Sequence, residues 1–211
     1  LARIADAYNA VGVKDIVVVR GYKKETVNLP NLTYVDNDDY ASTGELASLL
    51  KALQSRKGRA QQTLISYGDV LFNTYIPQSL CQEPDDCVIF LDSNWREQSR
   101  YARLGGFAEC SIPNSRRAFN AKVYLTKLGN EIPEANTHGV WMGFLKVSPA
   151  AATLITTIIT ELLAQPGNRK ATIPQLIQEL LTRRQPIRVL YTVGHWLDIN
   201  SLEDVVQAGE F

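Results

Sequence analysis

Two aspartates that each follow an apolar segment are the residues best placed to do chemistry. Thr63–Phe72 is apolar as far as Gly68 and then presents the carboxylate of Asp69, and Asp92 follows the apolar run 87–91. Ligands of open α/β sheets collect beyond the carboxyl ends of strands, and Mg²⁺ prefers oxygen ligands such as carboxylates. Asp69 is therefore a candidate ligand for a Mg²⁺-nucleotide complex, with a turn acid as the alternative. For Asp92 the turn is the interpretation we prefer.

The composition predicts one domain over residues 1–211 and excludes several kinds of partner. The chain is 45% hydrophobic, enough for one substantial core, and its 22 Lys and Arg residues balance its 22 Asp and Glu residues. Without a basic surplus we expect no binding to nucleic acid, and no apolar run is long enough to span a membrane. The three cysteines lack the paired spacing of a zinc site. We therefore expect a soluble, cytoplasmic protein with reduced thiols.

Strand-like and helix-like patterns alternate along the chain, which is typical of a layered α/β protein. Strands are predicted at 15–19, 32–35, 63–68, 87–91, 122–126, 140–147 and 187–193. Helices are predicted near 1–11, 43–53, 73–82, 154–163 and 173–181, with another after Ser201. A hydroxyl of Ser42 or Thr43 is expected to cap the second helix, and Ser201 to cap the last.

Four motifs give the chain a resemblance to a known family. They are Ser42–Leu50, Ser66–Asp69, His138–Gly143 and Gly194–Asn200, and they occur in that order. Together they resemble nucleotidyltransferases of the MobA-like and sugar-phosphate type. The nearest subgroup is the cytidylyltransferases that activate phosphocholine or 2-aminoethylphosphonate, including the transferase domain of bifunctional phosphoenolpyruvate mutase proteins. The resemblance spans nearly the whole chain and implies a three-layer α/β/α, Rossmann-like (GT-A-like) fold with a mixed, mostly parallel sheet.

The resemblance also implies an activity and a metal. Enzymes of this family transfer a nucleoside monophosphate from an NTP, here expected to be CTP, to a small phosphorylated or phosphonylated acceptor and release pyrophosphate. Asp69 and Asp198 match the family's catalytic acids, which hold Mg²⁺ as a cofactor. Close carboxylates repel each other unless a cation lies between them, so the pair is plausible only with metal bound. The alternative for Asp198 is a simple role at the start of the last helix.

Further residues are implied for the nucleotide and for the acceptor. The nucleotide-binding residues that the resemblance implies are Ser42, Thr43, Ser48 and Gly68. On the acceptor side, Trp141, Trp196 and the neighbouring His195 match, and either indole could hold a cationic head group by cation–π contact. The alternatives are a purely structural cap for the Ser42–Thr43 hydroxyls and a core position for Trp141.

One departure from the family leaves the function open. No glycine-rich segment that could wrap the NTP phosphates precedes Leu1. We therefore expect the domain to be N-terminally incomplete and to lack its first strand, and we expect this chain alone to be a poor catalyst. The natural polypeptide is expected to extend upstream, with a phosphoenolpyruvate mutase-like domain as a candidate fusion. Two alternatives are a catalytically inactive nucleotide-binding or interaction domain and a nucleotide-sugar glycosyltransferase, although the latter normally shows an Asp-x-Asp pair that Asp69–Leu71 lacks.

Overall fold

A six-stranded sheet forms the centre of the computed structural model, which describes residues 1–56, 58, 61–97, 106–116 and 121–211. The strands are β1 (Val17–Arg20), β2 (Thr33–Asp36), β3 (Thr63–Ser66), β4 (Val70–Phe72), β5 (Cys87–Asp92), β6 (Phe107–Cys110), β7 (Val123–Leu128), β8 (Gly139–Val147), β9 (Ile187–Thr192) and β10 (Trp196–Asp198). The order in the central sheet is β3-β8-β5-β9-β7-β6. Two smaller ladders, β1–β2 and β4–β10, lie outside it.

Helices cover both faces of this sheet. They are α1 (Ala2–Ala10), α2 (Glu45–Ser55), α3 (Tyr75–Gln82), α4 (Pro149–Ala164), α5 (Ile173–Thr182) and α6 (Leu202–Glu210). α2, α4 and α5 share one apolar core with the sheet, whereas α1, α3 and α6 share a second core that includes β4. β5 is buried along its whole length because it serves both cores, with Ile89 facing the first and Phe90 the second. The predicted three layers are therefore confirmed.

The sheet is mixed, as expected, and four of its six strands, β3, β5, β6 and β9, run in the same direction. Among neighbouring strands in the described part of the central sheet, only β5 and β9 pair in parallel. β8 runs antiparallel to β3, β5 and β6, and β7 runs antiparallel to β6 and β9. The nine-residue β8 thus sets the pairing, since it faces three neighbours in the same antiparallel sense. In the described ranges no helix is both long and apolar enough to cross a membrane.

The two small ladders place particular strands at open edges. β1 pairs only with β2, in parallel, and β3 pairs only with β8, as far as the described ranges show. After β3 the chain leaves the central sheet through a bend at 68–69, and β4 then pairs with β10. The expectation of a missing first strand stays a prediction, and it is compatible with these unpaired edges.

Candidate functional site

The β4–β10 ladder brings the two predicted acids onto facing segments. Asp198 lies opposite Val70, and the backbone nitrogen of Ile199 donates to the carbonyl oxygen of Asp69 at 2.9 Å. Asp69 and Asp198 are therefore diagonal neighbours, although they are far apart in sequence. Asp69 is exposed and Asp198 is half-buried, so this corner of the molecule can be reached by a ligand.

The charges of both acids influence the pKa of Tyr67. Burial raises the pKa of the Tyr67 phenol, the charge and the hydrogen bond of Glu45 raise it further, and the charges of Asp69 and Asp198 add to the same shift. Both carboxylates thus add to the negative charge that acts on the Tyr67 phenol. We refer to Asp69 and Asp198, together with Tyr67, as the acidic corner.

Gly143 allows Tyr67 to occupy this position. Gly143 lies within β8 at a φ of 81°, where the register between β5 and β8 shifts. A β-carbon on residue 143 would lie 2.5 Å from Cδ2 of Tyr67, so only glycine admits the ring. The ring also packs edge-on against Trp141 with centroids 5.7 Å apart. The sheet thus contains a bulge shaped to the tyrosine that immediately precedes Gly68 and Asp69.

The start of α6 is capped without Asp198. Ser201 is the N-cap of α6, and its hydroxyl oxygen accepts from the backbone nitrogen of Asp204 at 3.2 Å. The predicted cap is therefore confirmed. Asp198 instead accepts a hydrogen bond from the side-chain nitrogen of Asn200. Because the helix is capped by its own serine, a role at the start of the helix does not account for Asp198.

The predicted hydroxyl cap on α2 is wrong. Gly44 is the N-cap, and no side chain caps this helix end. The first turn is satisfied by the 169–171 loop, since the carbonyl oxygen of Ala171 accepts from the nitrogen of Leu46 at 3.1 Å. A β-carbon on residue 44 would lie 2.5 Å from the backbone of Lys170. Close backbone approach therefore replaces the expected side-chain cap.

The hydroxyls predicted to bind nucleotide also take part in a local hydrogen-bond network. Ser42 and Thr43 both donate to the carbonyl oxygen of Asp39, at 3.2 and 2.9 Å. The side-chain nitrogen of buried Asn37 donates to Thr43 at 3.0 Å and to Ser48 at 3.1 Å. The network orders the loop between β2 and α2, with Ser42 left exposed.

Glu45 connects this loop to the acidic corner. Its Oε2 accepts from the Tyr67 hydroxyl and from the backbone nitrogen of Ile173, both at 2.8 Å. Glu45 is the first residue of α2 and follows Thr43 by two positions. The structure therefore brings the Ser42–Thr43 loop and the Asp69 turn to the same region, through a contact that the sequence did not reveal.

The three residues predicted for the acceptor have different surroundings. Trp141 is fully buried in the first core, and its Nε1 donates to the carbonyl oxygen of Phe144 at 2.8 Å. Trp196 is buried in the second core, where its Nε1 donates to Asp92 at 2.9 Å. Neither indole offers an open face to a ligand, so Trp141 matches the core alternative. His195 alone is exposed, and its Nδ1 lies 3.2 Å from the hydroxyl of Tyr75.

The donor set of the acidic corner fits a hard divalent cation. Two carboxylates supply oxygen ligands only, and Mg²⁺ commonly uses one or two carboxylates together with water and substrate phosphates. In the part of the chain that the structure describes, no group of three or more His, Cys, Asp or Glu side chains could hold a metal ion. Asp69 and Asp198 would therefore hold Mg²⁺ jointly with the nucleotide, since they do not form a complete protein cage.

Comparison with known proteins identifies the fold. Residues 1–104 match the family model of the MobA-like NTP transferase domain. CTP:phosphocholine cytidylyltransferase (LicC) from Streptococcus pneumoniae is 12% identical, with a TM-score of 0.65 over 99% of this chain and 83% of that one. An apo UDP-glucose pyrophosphorylase is 12% identical, with a TM-score of 0.72 over 99% of this chain and 84% of that one.

A further solved structure similar to this chain is also of an enzyme named for CTP. The inositol-1-phosphate CTP transferase from T. maritima is 14% identical, with a TM-score of 0.64 over 93% of this chain and 76% of that one. None of the curated proteins matches the chain in sequence. At identities this low, the structural similarity establishes the fold alone. The family model covers the part of the chain that contains Ser42–Leu50 and Asp69. Residues 1–104 therefore match a MobA-like NTP transferase domain, and the chain has the fold of solved nucleotidyltransferases.

Proposed function

We propose that the protein is a Mg²⁺-dependent cytidylyltransferase that transfers CMP from CTP to a small phosphorylated or phosphonylated acceptor and releases pyrophosphate. The observation that supports it is that the pairing of β4 with β10 brings the backbones of Asp69 and Asp198 to adjacent positions, with both charges acting on Tyr67. An acceptor oxygen attacks the α-phosphorus, and the bond from that phosphorus to the β-phosphate oxygen breaks. The reaction gathers negative charge at the phosphates, which Mg²⁺ held by Asp69 and Asp198 would neutralise.

The chain's own residues contribute position and charge. Asp69 and Asp198 would fix the metal–nucleotide complex at the turn, and the backbone of Gly68 would approach the phosphates closely because it carries no side chain. Ser42 and Thr43 lie in the loop just before α2, and Ser48 lies near the start of that helix. Glu45 lies between them in sequence, and we assign these hydroxyls to the nucleoside. This division agrees with the contact between Glu45 and Tyr67 at 2.8 Å.

The choice of CTP and of a small acceptor rests on similarity. Two of the similar structures are named for CTP, one with phosphocholine and one with inositol 1-phosphate as the acceptor. A third is named for UDP-glucose. We place this chain with the first two because its four motifs resemble those of the phosphocholine and 2-aminoethylphosphonate enzymes. Exposed His195, held by Tyr75, is the residue we assign to the acceptor side.

The decisive assay is pyrophosphate release by the full natural polypeptide. CTP, UTP, ATP, GTP and dTTP would each be combined with phosphocholine, 2-aminoethylphosphonate and a sugar 1-phosphate, with Mg²⁺ and with a chelator. We expect release with CTP and one of the first two acceptors, abolished by the chelator. Binding of CTP without any turnover would instead favour the inactive nucleotide-binding alternative. Release of a nucleoside diphosphate from a nucleotide sugar would favour the glycosyltransferase alternative.

Three matched substitutions connect the activity to the acidic corner. Asp69→Asn and Asp198→Asn should each lower kcat by about 100-fold or more, the scale expected when one charge-stabilising group is removed. Asp86→Asn is the control. Asp86 is exposed, as Asp69 is, but it directly precedes β5 and so lies at the opposite end of that strand from Asp92. Equal activity in all three variants would show that the two acids do not carry the reaction.

A further inference from the structure

Asp92 is a buried carboxylate at the end of β5 that accepts three N–H hydrogen bonds. Its Oδ1 accepts from the backbone nitrogens of Asn94 at 2.9 Å and Gly194 at 3.2 Å. Its Oδ2 accepts from Nε1 of Trp196 at 2.9 Å. The residue is 1% exposed. The bond from Asn94 alone would be sufficient for an acid that only ends β5. The bonds from Gly194 and Trp196 therefore require another explanation.

Those two bonds hold the segment between β9 and β10, which has a strained backbone. Gly194 has a φ of 66° and His195 a φ of 64°, and the left-handed region is unfavourable for a residue with a side chain. Such a conformation persists where the surroundings over-determine it. Here Asp92 binds the Gly194 nitrogen, and the backbone nitrogen of Asn73 donates to the His195 carbonyl oxygen at 3.2 Å.

The strained turn leads directly to the acidic corner. Trp196 begins β10 and Asp198 ends it, so the strand is only three residues long. Any rotation of the turn would carry Asp198 with it. Because Trp196 is held from inside the molecule by Asp92, the register of β10 against β4 is fixed at both ends, by the Trp196 indole and by the Ile199–Asp69 bond.

We propose that Asp92 is a positioning residue that holds the 194–196 turn and thereby sets the approach of Asp198 to Asp69. The part that concerns Mg²⁺ rests on the proposed function, whereas the part that concerns the turn rests on the hydrogen bonds alone. Some carboxylates orient metal ligands without touching the metal, and their removal commonly lowers metal affinity about 10- to 100-fold.

The test uses Asp92→Asn, Trp196→Phe and the double variant in the full natural polypeptide. An asparagine that keeps its oxygen toward Asn94 and Gly194 turns its amide donors toward the indole N–H of Trp196, and two donors cannot bond each other. Trp196→Phe removes the opposing donor. Hydrogen exchange of residues 193–199 would be measured by mass spectrometry, and Mn²⁺ binding in the presence of CTP by electron paramagnetic resonance. Asp69→Asn is the comparator, because it should lose Mn²⁺ while leaving exchange in 193–199 unchanged.

Asp92→Asn should speed exchange in residues 193–199 by about 10-fold or more, and weaken Mn²⁺ binding by about 10- to 100-fold. The double variant should recover part of both losses. Unchanged exchange in this segment, equally faster exchange throughout the central sheet, or faster exchange with unaltered Mn²⁺ binding would each overturn the proposal. If the unsubstituted protein binds no Mn²⁺, the proposed function fails, and the exchange comparison still decides whether Asp92 holds the turn.

Discussion

The ring of Tyr67 lies over Gly143 so closely that a β-carbon on residue 143 would come within 2.5 Å of Cδ2 of Tyr67. Gly143→Ala should therefore lower the free energy of unfolding, through both the clash and the positive φ. Gly167→Ala is the matched control, because Gly167 has a similar φ of 91° but a β-carbon there would meet no atom within 4 Å. We expect Gly143→Ala to cost about 1–3 kcal/mol more than Gly167→Ala in urea denaturation. Equal losses would show that the ring moves aside freely.

The bond between Tyr67 and Glu45 should be measurable as a coupling. Tyr67→Phe keeps the ring and removes the hydroxyl that donates to Glu45 at 2.8 Å. Hydrogen bonds to charged groups contribute about 1.5–3 kcal/mol, so this loss should fall in that range or slightly below it. Glu45→Gln and the double variant complete the cycle, and we expect a coupling free energy above about 0.5 kcal/mol, the usual threshold for residues in contact. Additive losses would mean that the contact contributes no stability.

Neutralising one of the two acids should separate metal binding from stability. Asp69→Asn removes a like charge from beside Asp198, and Asp69 is exposed. In a chelator, its free energy of unfolding should stay within about 0.5 kcal/mol of the unsubstituted protein. Mg²⁺ with CTP should raise the melting temperature of the unsubstituted protein and of Asp86→Asn, but not that of Asp69→Asn. A rise of equal size in all three proteins would place the metal elsewhere.

The buried thiols predict a loss of stability at alkaline pH. Burial raises the pKa of Cys87 and of Cys110 to about 11 each. Unfolded cysteine has a pKa of about 8.5, so between these pH values the unfolded chain has released protons that the folded chain retains. The free energy of unfolding should therefore fall as the pH rises from about 8.5 to 11. Replacing both residues by alanine should reduce this slope, and an identical slope would contradict the prediction.

At acid pH the ion pair of Asp85 and Lys122 should be lost. Burial would raise the pKa of Asp85, but the hydrogen bond and charge of Lys122, 3.1 Å away, lower it overall. A depressed carboxyl pKa stabilises the fold above the unfolded value of about 3.9, and that contribution disappears as the pH falls through the folded value. Lys122→Gln should thus be less stable than the unsubstituted protein at about pH 6. The two proteins should be equally stable at a pH well below the folded pKa of Asp85. Lys127→Gln, which removes a more exposed pair with Glu131, should show a smaller difference.

The long elements could be predicted from the sequence because their apolar spacing is strong. The run 140–147 and the helix around Ile155 are buried on the predicted residues. β4 and β10 were not predicted as separate strands, since three residues carry too little periodicity, and β6 was also missed. A mixed, mostly parallel sheet was expected from the family resemblance. Which strand would run antiparallel could not be inferred, because pairing sense depends on which strands become neighbours.

Asp69 was singled out as a candidate by a local signal and Asp198 by the family resemblance, whereas the surroundings of both residues could not be predicted. A Gly-Asp pair at a strand end marks Asp69 in the sequence itself. Tyr67, Glu45 and Gly143 gave no such signal, since their contacts join residues that are far apart in the chain. The bonds of Asp92 to Gly194 and Trp196 were missed for the same reason, and Asp92 was interpreted as a turn acid. Burial of Trp141 and Trp196 was likewise decided by tertiary packing.

One edge of β3 is open to pairing with a strand from another polypeptide segment. β3 pairs along one side with β8, and no strand in the described ranges pairs with its other side. Its backbone groups there are suited to receive an added strand. A segment that bonded to β3 in parallel would run on past Gly68 and Asp69, and would deliver its own next residues to the carboxylates. Strand addition at this edge would then also bring new residues to the proposed metal–nucleotide site.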